Sequence, residues 1–319
     1  MTVRAGDGPY EAGVSAAGRG DYVSAVRLWE IAAAEQHPKA QFNLGVAYET
    51  GKGVPQNFEE AANWYRRAAD QDHAGAHFNL SVMYEDDRVA DDHLAKGWRL
   101  RKAAELGHLD AQAKIGDRHL VAEDHAEGME WLQRAAWHGH AGAQCTLGYV
   151  YDKGIEPVAD RAGKVWPGRS GVPINYKEAI SWYQKSAAQG NTDAQLYLGS
   201  LYKIGRSTPR FIDAILGRAK GIPQNYEEAA KWYRMAAQLG RAAAQLGLGL
   251  LTANGHGVAQ DNIQAHMWFS LAIGRFEAWD QHRKSEAVKN RDIVAAKMTP
   301  AQIADAQKLA REWKPTSER

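Results

Sequence analysis

AQFNLGVAYETGKGVPQNFEEAANWYRRAA, residues 40–69, decides the fold. Ala40, Leu44 and Tyr48 fall at helical spacing, which puts one apolar stripe on a first helix, and Gly45 permits close approach of a neighbouring helix. Gly51 and Gly53 supply the positive φ that ends this helix and turns the chain. Asn57 is a good N-cap, with Glu60 three residues on as its capping-box partner. Ala61, Trp64, Tyr65, Ala68 and Ala69 then gather on one face of a second helix. The stretch reads as a helical hairpin.

The hairpin returns along the chain. Ala40-Leu44-Gly45-Tyr48 is echoed by Ala76-Leu80-Ser81-Tyr84, Ala111-Ile115-Gly116-His119, Ala143-Leu147-Gly148-Tyr151, Ala194-Leu198-Gly199-Tyr202 and Ala244-Leu248-Gly249-Thr252. The N-cap pairing recurs at Asp124/Glu127, Asn175/Glu178, Asn225/Glu228 and Asp261/Gln264. Trp64, Trp131, Trp182, Trp232 and Trp268 share one register, as expected of a large aromatic filling the space between helices. The hairpin starting at Ala76 departs: its alanines align only with Arg99 in the tryptophan slot and Trp98 one residue early. That hairpin and the next also lack the glycine loop. Self-similarity at a nearly fixed period predicts a stack of identical units, each burying its apolar face against its neighbours.

Residues 40–69, with AAKWYRMAAQLG at 229–240, resemble the Sel1-like repeat family, helix-pair solenoids related to tetratricopeptide repeats. The resemblance implies an all-α, right-handed α-solenoid of about six helix-turn-helix repeats with capping helices at both ends. The expected divisions are a half-repeat cap at 1–37, with Asp21 as N-cap and Leu28 in the tryptophan slot, repeats over 38–275, and capping helices over 276–319. In the last, Thr299-Pro300-Ala301-Gln302 reads as an N-cap, an N1 proline and a capping-box glutamine, and Ile303, Ala306, Ala310 and Trp313 as one face sealing the stack. The family implies scaffolds and adaptors, many of them bacterial and exported to the cell envelope.

Bulk composition narrows the function. With 39 basic and 38 acidic residues the chain lacks the basic excess of a nucleic-acid binder. One cysteine, Cys145, excludes an internal disulfide framework. No run of 18 apolar residues predicts a membrane span, and the first residues lack the apolar core of a signal peptide. The expectation is a cytoplasmic protein as written, or a periplasmic or exported one if a signal was trimmed.

Two places distinguish the repeats. Successive starting alanines lie 36, 35, 32, 51 and 50 residues apart, so the last two carry insertions, at 155–170 and 206–220, at equivalent loops. The second holds Arg206, Arg210, Arg218 and Lys220 against Asp213, with Phe211 on the stripe of a short helix; the first holds Trp166 and Arg169. Together they predict a basic edge, with three readings open: two loops packing on each other, a partner-recognition edge, or evolutionary drift. The other surface is the concave face. If the tetratricopeptide likeness holds, its ligand positions are Phe42, Val46 and Glu49; Phe78, Val82 and Glu85; Ala113, Asp117 and Leu120; Cys145, Tyr149 and Asp152; Leu196, Ser200 and Lys203. Apolar residues rimmed by Glu49, Glu85 and Asp86 would suit a peptide with basic and apolar side chains, with Phe42 and Phe78 packing inside the stack as the alternative.

Catalytic signatures are absent. His37, His73, His108 and His140 each stand three residues before a starting alanine, one per repeat, so repeat spacing keeps them from sharing a zinc ion. Neither GxG, at 51–53 and 255–257, follows a strand, and no GxSxG, GxxxxGK[ST] or HExxH occurs. The reading is a scaffold that binds a partner protein or peptide, with no enzyme activity, cofactor or metal. The alternative is a receptor for a glycan or other small ligand built on Trp166, Tyr149 and the basic edge.

Overall fold

The computed structural model describes residues 7–89, 93–156, 171–205 and 221–316, where the regular elements are sixteen α-helices. The one β pairing between described residues is an isolated antiparallel bridge joining Ile155 to Val172. The chain divides into two compact units, Met1–His138 and Gly139–Arg319. The first holds α1 (Asp7–Gly18), α2 (Tyr22–Ala34), α3 (Pro38–Thr50), α4 (Phe58–Ala69), α5 (Ala74–Glu85), α6 (His93–Glu105), α7 (Leu109–Val121) and α8 (His125–Trp137). The second holds α9 (Ala141–Lys153), α10 (Tyr176–Ala188), α11 (Thr192–Ile204), α12 (Tyr226–Gln238), α13 (Ala242–Asn254), α14 (Asn262–Arg275), α15 (Gln281–Ala295) and α16 (Pro300–Glu312). Within each unit consecutive helices pack on one another as far as α15, so the fold is an all-α repeat solenoid.

Five hairpins are locked by the glycine of their first helix. A Cβ added at Gly45 would lie 2.5 Å from the ring of Tyr65, and the same holds for Gly148 against Tyr183 and Gly199 against Tyr233. Gly249 meets Phe269 at 2.7 Å and Gly116 meets Leu132 at 2.6 Å. The inter-helix space is therefore filled by the residue after the tryptophan, which corrects the sequence expectation. Tyr65, Leu132, Tyr183 and Phe269 are fully buried and Tyr233 nearly so. Trp131 and Trp182 are buried at the margin of the same slot, whereas Trp64, Trp232 and Trp268 are only half-buried. A basic side chain covers most of this row: Arg67 over Trp64 at 4.5 Å, Arg134 over Trp131 at 4.6 Å and Lys185 over Trp182 at 4.0 Å. In α6 Leu100 takes the core slot, Arg99 the half-buried tryptophan place, and Trp98 is left 56% exposed.

The caps are half as expected. Asn57, Asn175, Asn225 and Asp261 each accept from the backbone N–H three residues on. The acid or amide three residues later does not reach back. The N-cap's own N–H instead donates to the carbonyl of the preceding helix, Asn57 to Tyr48 at 2.9 Å and Asn175 to Tyr151 at 2.8 Å. This bond closes the hairpin and makes the reciprocal cap unnecessary. The complete capping box is at Thr299/Gln302. Where the glycine loop is missing, Asp87 and Glu123 adopt the positive φ themselves, at 52° and 64°.

The ends differ from one another. At the N-terminus α1 and α2 form a full hairpin, with Trp29 buried in the core slot and Leu28 half-buried beside it, so the expected half repeat is a whole one. At the C-terminus α15 and α16 pack on α14, Ala306 is fully buried, and Trp313 meets Trp268 edge-on at 6.3 Å.

Candidate functional site

The histidines before each starting alanine are helix caps. Nδ1 of His37, His73, His108 and His140 accepts from the backbone N–H of Ala40, Ala76, Ala111 and Ala143, at 3.2, 3.2, 3.4 and 2.9 Å. Asn191 does the same through Oδ1 to Ala194 at 2.9 Å. Three of the four imidazoles also receive the previous repeat's first helix: Tyr10 stacks on His37 at 4.5 Å, Phe42 on His73 at 4.5 Å, and Phe78 on His108 at 4.3 Å. Phe42 and Phe78 are thereby spent on packing between repeats, the alternative that the sequence left open. Val46 joins Phe42 against the buried cluster of α4 and α5, and Val82 is half-buried.

A second recurring staple was missed. Gln41, Gln112, Gln144, Gln195 and Gln245, each one residue after a starting alanine, are buried. Four of them donate to the end of the preceding helix, Gln41 to Ala33 at 3.5 Å, Gln112 to Ala104 at 3.0 Å, Gln195 to Ala187 at 3.3 Å and Gln245 to Ala237 at 3.1 Å. The signal was available: five starting alanines of six are followed by glutamine, a residue rarely buried without a partner. His77 holds the place in the sixth.

The carboxylates expected to rim a binding face are engaged inside the first unit. Glu49 accepts from the Tyr65 hydroxyl at 2.6 Å and from Arg88 at 3.1 Å, while Asn79 donates to the same hydroxyl at 2.9 Å. Burial, reinforced by the Glu49 hydrogen bond and charge, pushes the Tyr65 phenol far above its ordinary value. Glu85 holds Lys114 and also Arg118, the latter at 2.8 Å, and the Lys114 hydrogen bond leads in drawing its carboxyl below the usual range. Asp86 pairs with Arg88 at 2.8 Å. The predicted acidic rim is therefore already neutralised by this chain's own cations.

The second unit is arranged differently. Tyr149 on α9 stands 45% exposed, 5.8 Å from half-buried Tyr197 on α11 and beneath Lys153 at 5.9 Å. Asp152 is buried and pairs with Lys153 at 2.7 Å, so it does not line an open face. Tyr183 lies 5.3 Å from Tyr197, and its buried hydroxyl has no hydrogen-bond partner among the described residues. Cys145 is buried, and desolvation pushes its thiol up to about 12, which removes it as a nucleophile. Leu196, Ser200 and Lys203 are half-buried, Ala113 is buried and Leu120 half-buried. Trp166, Arg169, Arg210, Phe211, Arg218 and Lys220 lie outside the described residues. The stems of their insertions are described and match: α9 and α11 end at Gly154 and Gly205, with φ of 68° and 66°, and Ile155 and Val172 exchange two backbone hydrogen bonds of 2.8 Å.

The comparisons follow this geometry. A model of the Sel1 repeat matches nine segments: 6–37, 38–73, 74–108, 109–140, 141–164, 161–191, 192–219, 214–240 and 242–273. The chain belongs to the Sel1 repeat family. Two of its repeats are matched in two overlapping pieces, at the insertions, so the nine segments correspond to seven Sel1 repeats rather than the expected six. The seventh is the N-terminal hairpin at 6–37. A Sel1 repeat protein from Oxalobacter formigenes superposes with a TM-score of 0.63 at 25% identity, covering 85% of this chain and 98% of that one. The antigen c5321 of uropathogenic Escherichia coli, with the same fold, gives a TM-score of 0.53 at 27% identity over 97% of this chain and 68% of its own. DAP3-binding cell death enhancer 1 of Rattus norvegicus is 35% identical over 198 residues, 60% of this chain, and its Mus musculus counterpart 33% over the same length. The match spans 35% of the length of those two proteins. Sel1 repeat proteins generally mediate protein–protein interactions on a non-catalytic scaffold. No helix among the described residues is long and apolar enough to cross a membrane.

Proposed function

We propose that this chain is a non-catalytic scaffold that docks a partner protein on the first-helix face of its second unit, beside the edge from which the two insertions leave. The carrying observation is Tyr149. Of the three corresponding places in the first unit, Val46 and Val82 are half-buried and Asp117 is an exposed carboxylate, whereas Tyr149 is an aromatic residue 45% exposed next to Tyr197. An exposed aromatic backed by a second ring is the usual anchor of a protein interface, because it offers large contact area at low entropic cost. Lys153 and Lys203 on the same helices, and Arg169, Arg210, Arg218 and Lys220 in the inserted sequences, favour a partner segment combining an apolar anchor with acidic side chains. The rodent relatives, which are named as DAP3-binding, support the class of function.

The test is a purified pair. A partner captured by the full chain and identified by mass spectrometry is titrated against the wild type and variants. Tyr149→Asp is expected to weaken binding at least about ten-fold, the size of a lost aromatic anchor. Glu49→Gln and Glu85→Gln are expected to leave the affinity unchanged. The reverse pattern would place the interface on the first unit and overturn the proposal.

A further inference from the structure

One hairpin of the first unit departs from its neighbours at its first-helix end and at its cap. The place held by Tyr48, Tyr84, Tyr151 and Tyr202 is held by His119. The N-cap Asp124 makes no side-chain cap hydrogen bond, whereas Asp21, Asn57, Asn175, Asn225 and Asp261 in the equivalent position all do. Its carboxylate is turned instead toward the imidazole, with Oδ2 at 3.5 Å from Nδ1 of His119. Glu127, which fills the capping-box position, has Oε1 at 3.6 Å from Nε2, and the same oxygen accepts from the Trp131 indole N–H at 3.2 Å.

The geometry points to a divalent-cation site of the zinc class at His119, Asp124 and Glu127. The separations of 3.5 and 3.6 Å exceed a good N–H···O hydrogen bond. Either one alone is close to the roughly 3.4 Å between neighbouring ligand atoms when metal bonds of about 2.1 Å are arranged tetrahedrally, and a given ion takes one ring nitrogen of the two. One ligand atom from each residue lies within 4.8 Å of the others, so closure on a single ring nitrogen takes a side-chain movement. One nitrogen and two carboxylate oxygens suit a zinc-class ion, whereas magnesium and calcium take oxygen ligands.

The surroundings fit a cation with an open coordination position. Asp124 and Glu127 line an open cavity of about 520 Å³ together with Glu105, Glu130, Arg101 and Arg134, so carboxylates outnumber cations on its wall. Arg101 approaches Glu127 at 3.1 Å and would be displaced by the ion. It also pairs with Glu105 at 3.3 Å, which leaves it a partner after displacement. The ion would join the last turn of α7 to the start of α8 across a turn in which Glu123 is held at a φ of 64°. Its role there is to fasten the hairpin.

Isothermal titration of the full chain with zinc chloride, and thermal melting with and without zinc, test the site. The wild type is expected to bind one equivalent, removable by EDTA and not replaced by magnesium, and to melt at a higher temperature when loaded. His119→Tyr installs the side chain of the equivalent repeats and is expected to keep the helical circular dichroism while losing that equivalent. Asp124→Asn is expected to lose it as well, yet to melt at or above the zinc-free wild type, because asparagine caps this position in three other repeats. A wild type that binds no equivalent beyond those bound by His119→Tyr overturns the proposal, as does an Asp124→Asn variant with undiminished affinity.

Discussion

Tyr65 and Tyr183 occupy the same fully buried slot in two repeats, yet their hydroxyls meet opposite circumstances, so one substitution should act with opposite sign at the two sites. Tyr65 donates to the Glu49 carboxylate at 2.6 Å and accepts from Asn79 at 2.9 Å. The register-equivalent residues around Tyr183 are Asp152, one methylene shorter, and Tyr197, which brings a ring where Asn79 brings an amide. The Tyr183 oxygen is left buried without a hydrogen bond among the described residues. A hydrogen bond to a charged group is worth about 1.5–3 kcal/mol, so Tyr65→Phe should destabilise by about 2 kcal/mol. Removing an unsatisfied buried hydroxyl relieves a desolvation cost of about 1–3 kcal/mol, so Tyr183→Phe should stabilise by about 1 kcal/mol. At a urea slope of about 2 kcal/mol per M the two variants should unfold about 1.5 M apart. Because a repeat array can unfold in parts, amide exchange across α3–α5 and α9–α11 should be read beside the urea curve. A loss of 1 kcal/mol or more in Tyr183→Phe would mean that its hydroxyl has a partner and would refute the reasoning.

Four further outcomes follow from the geometry. Burial, followed by the charges of Lys39 and His108, holds the His73 imidazole below its ordinary pKa, and its Nδ1 caps Ala76 only when unprotonated. Its contribution is therefore complete above about pH 6.5 and lost as pH falls below that value, where the unfolded chain takes up the proton first. Urea midpoints at pH 7.5 and 5.5 should show the drop, and His73→Asn, capping as Asn191 does, should reduce it. Gly199→Ala forces a methyl to 2.5 Å from the Tyr233 ring, costing about 1–3 kcal/mol by overpacking against a helix-propensity gain of about 1 kcal/mol, so a net loss in thermal unfolding is expected. His77→Gln should raise stability by about 1 kcal/mol, because both buried ring nitrogens lack a well-formed hydrogen bond where the equivalent glutamines have one. Glu85→Gln should cost less than about 1 kcal/mol and lose even that at high salt, since its pairs with Lys114 and Arg118 are partly exposed.

The hairpins and their caps were legible because apolar period, glycine and asparagine act locally. The error over the tryptophan row has an equally local cause. Trp64 and Tyr65 are about 100° apart on a helix and both lie on its apolar arc, so periodicity does not say which one points at Gly45. The histidine caps were not legible because imidazole is outside the usual N-cap set; only their recurrence beside Asn191 hinted at the role. Glu49 and Glu85 looked free because Arg88 lies 39 residues beyond the first and Lys114 lies 29 residues beyond the second, and no local pattern links them.

Those partners matter for where function is sought in a repeat protein. A polar or aromatic residue that recurs in register, such as the buried glutamines or the histidine caps, is accounted for by packing between neighbours and cannot distinguish one Sel1 chain from another. Residues that break register without a packing reason have had to be kept against the preference of the repeat. Asp124 gives up a cap worth about 0.5–2 kcal/mol, and Tyr149 exposes a ring where two repeats of the first unit hold half-buried valines. Each departure costs the solenoid something that its own stacking does not return. The binding face and the cation site are placed on those two departures for that reason, and substituting the in-register residue at either position should remove a property while leaving the stack intact.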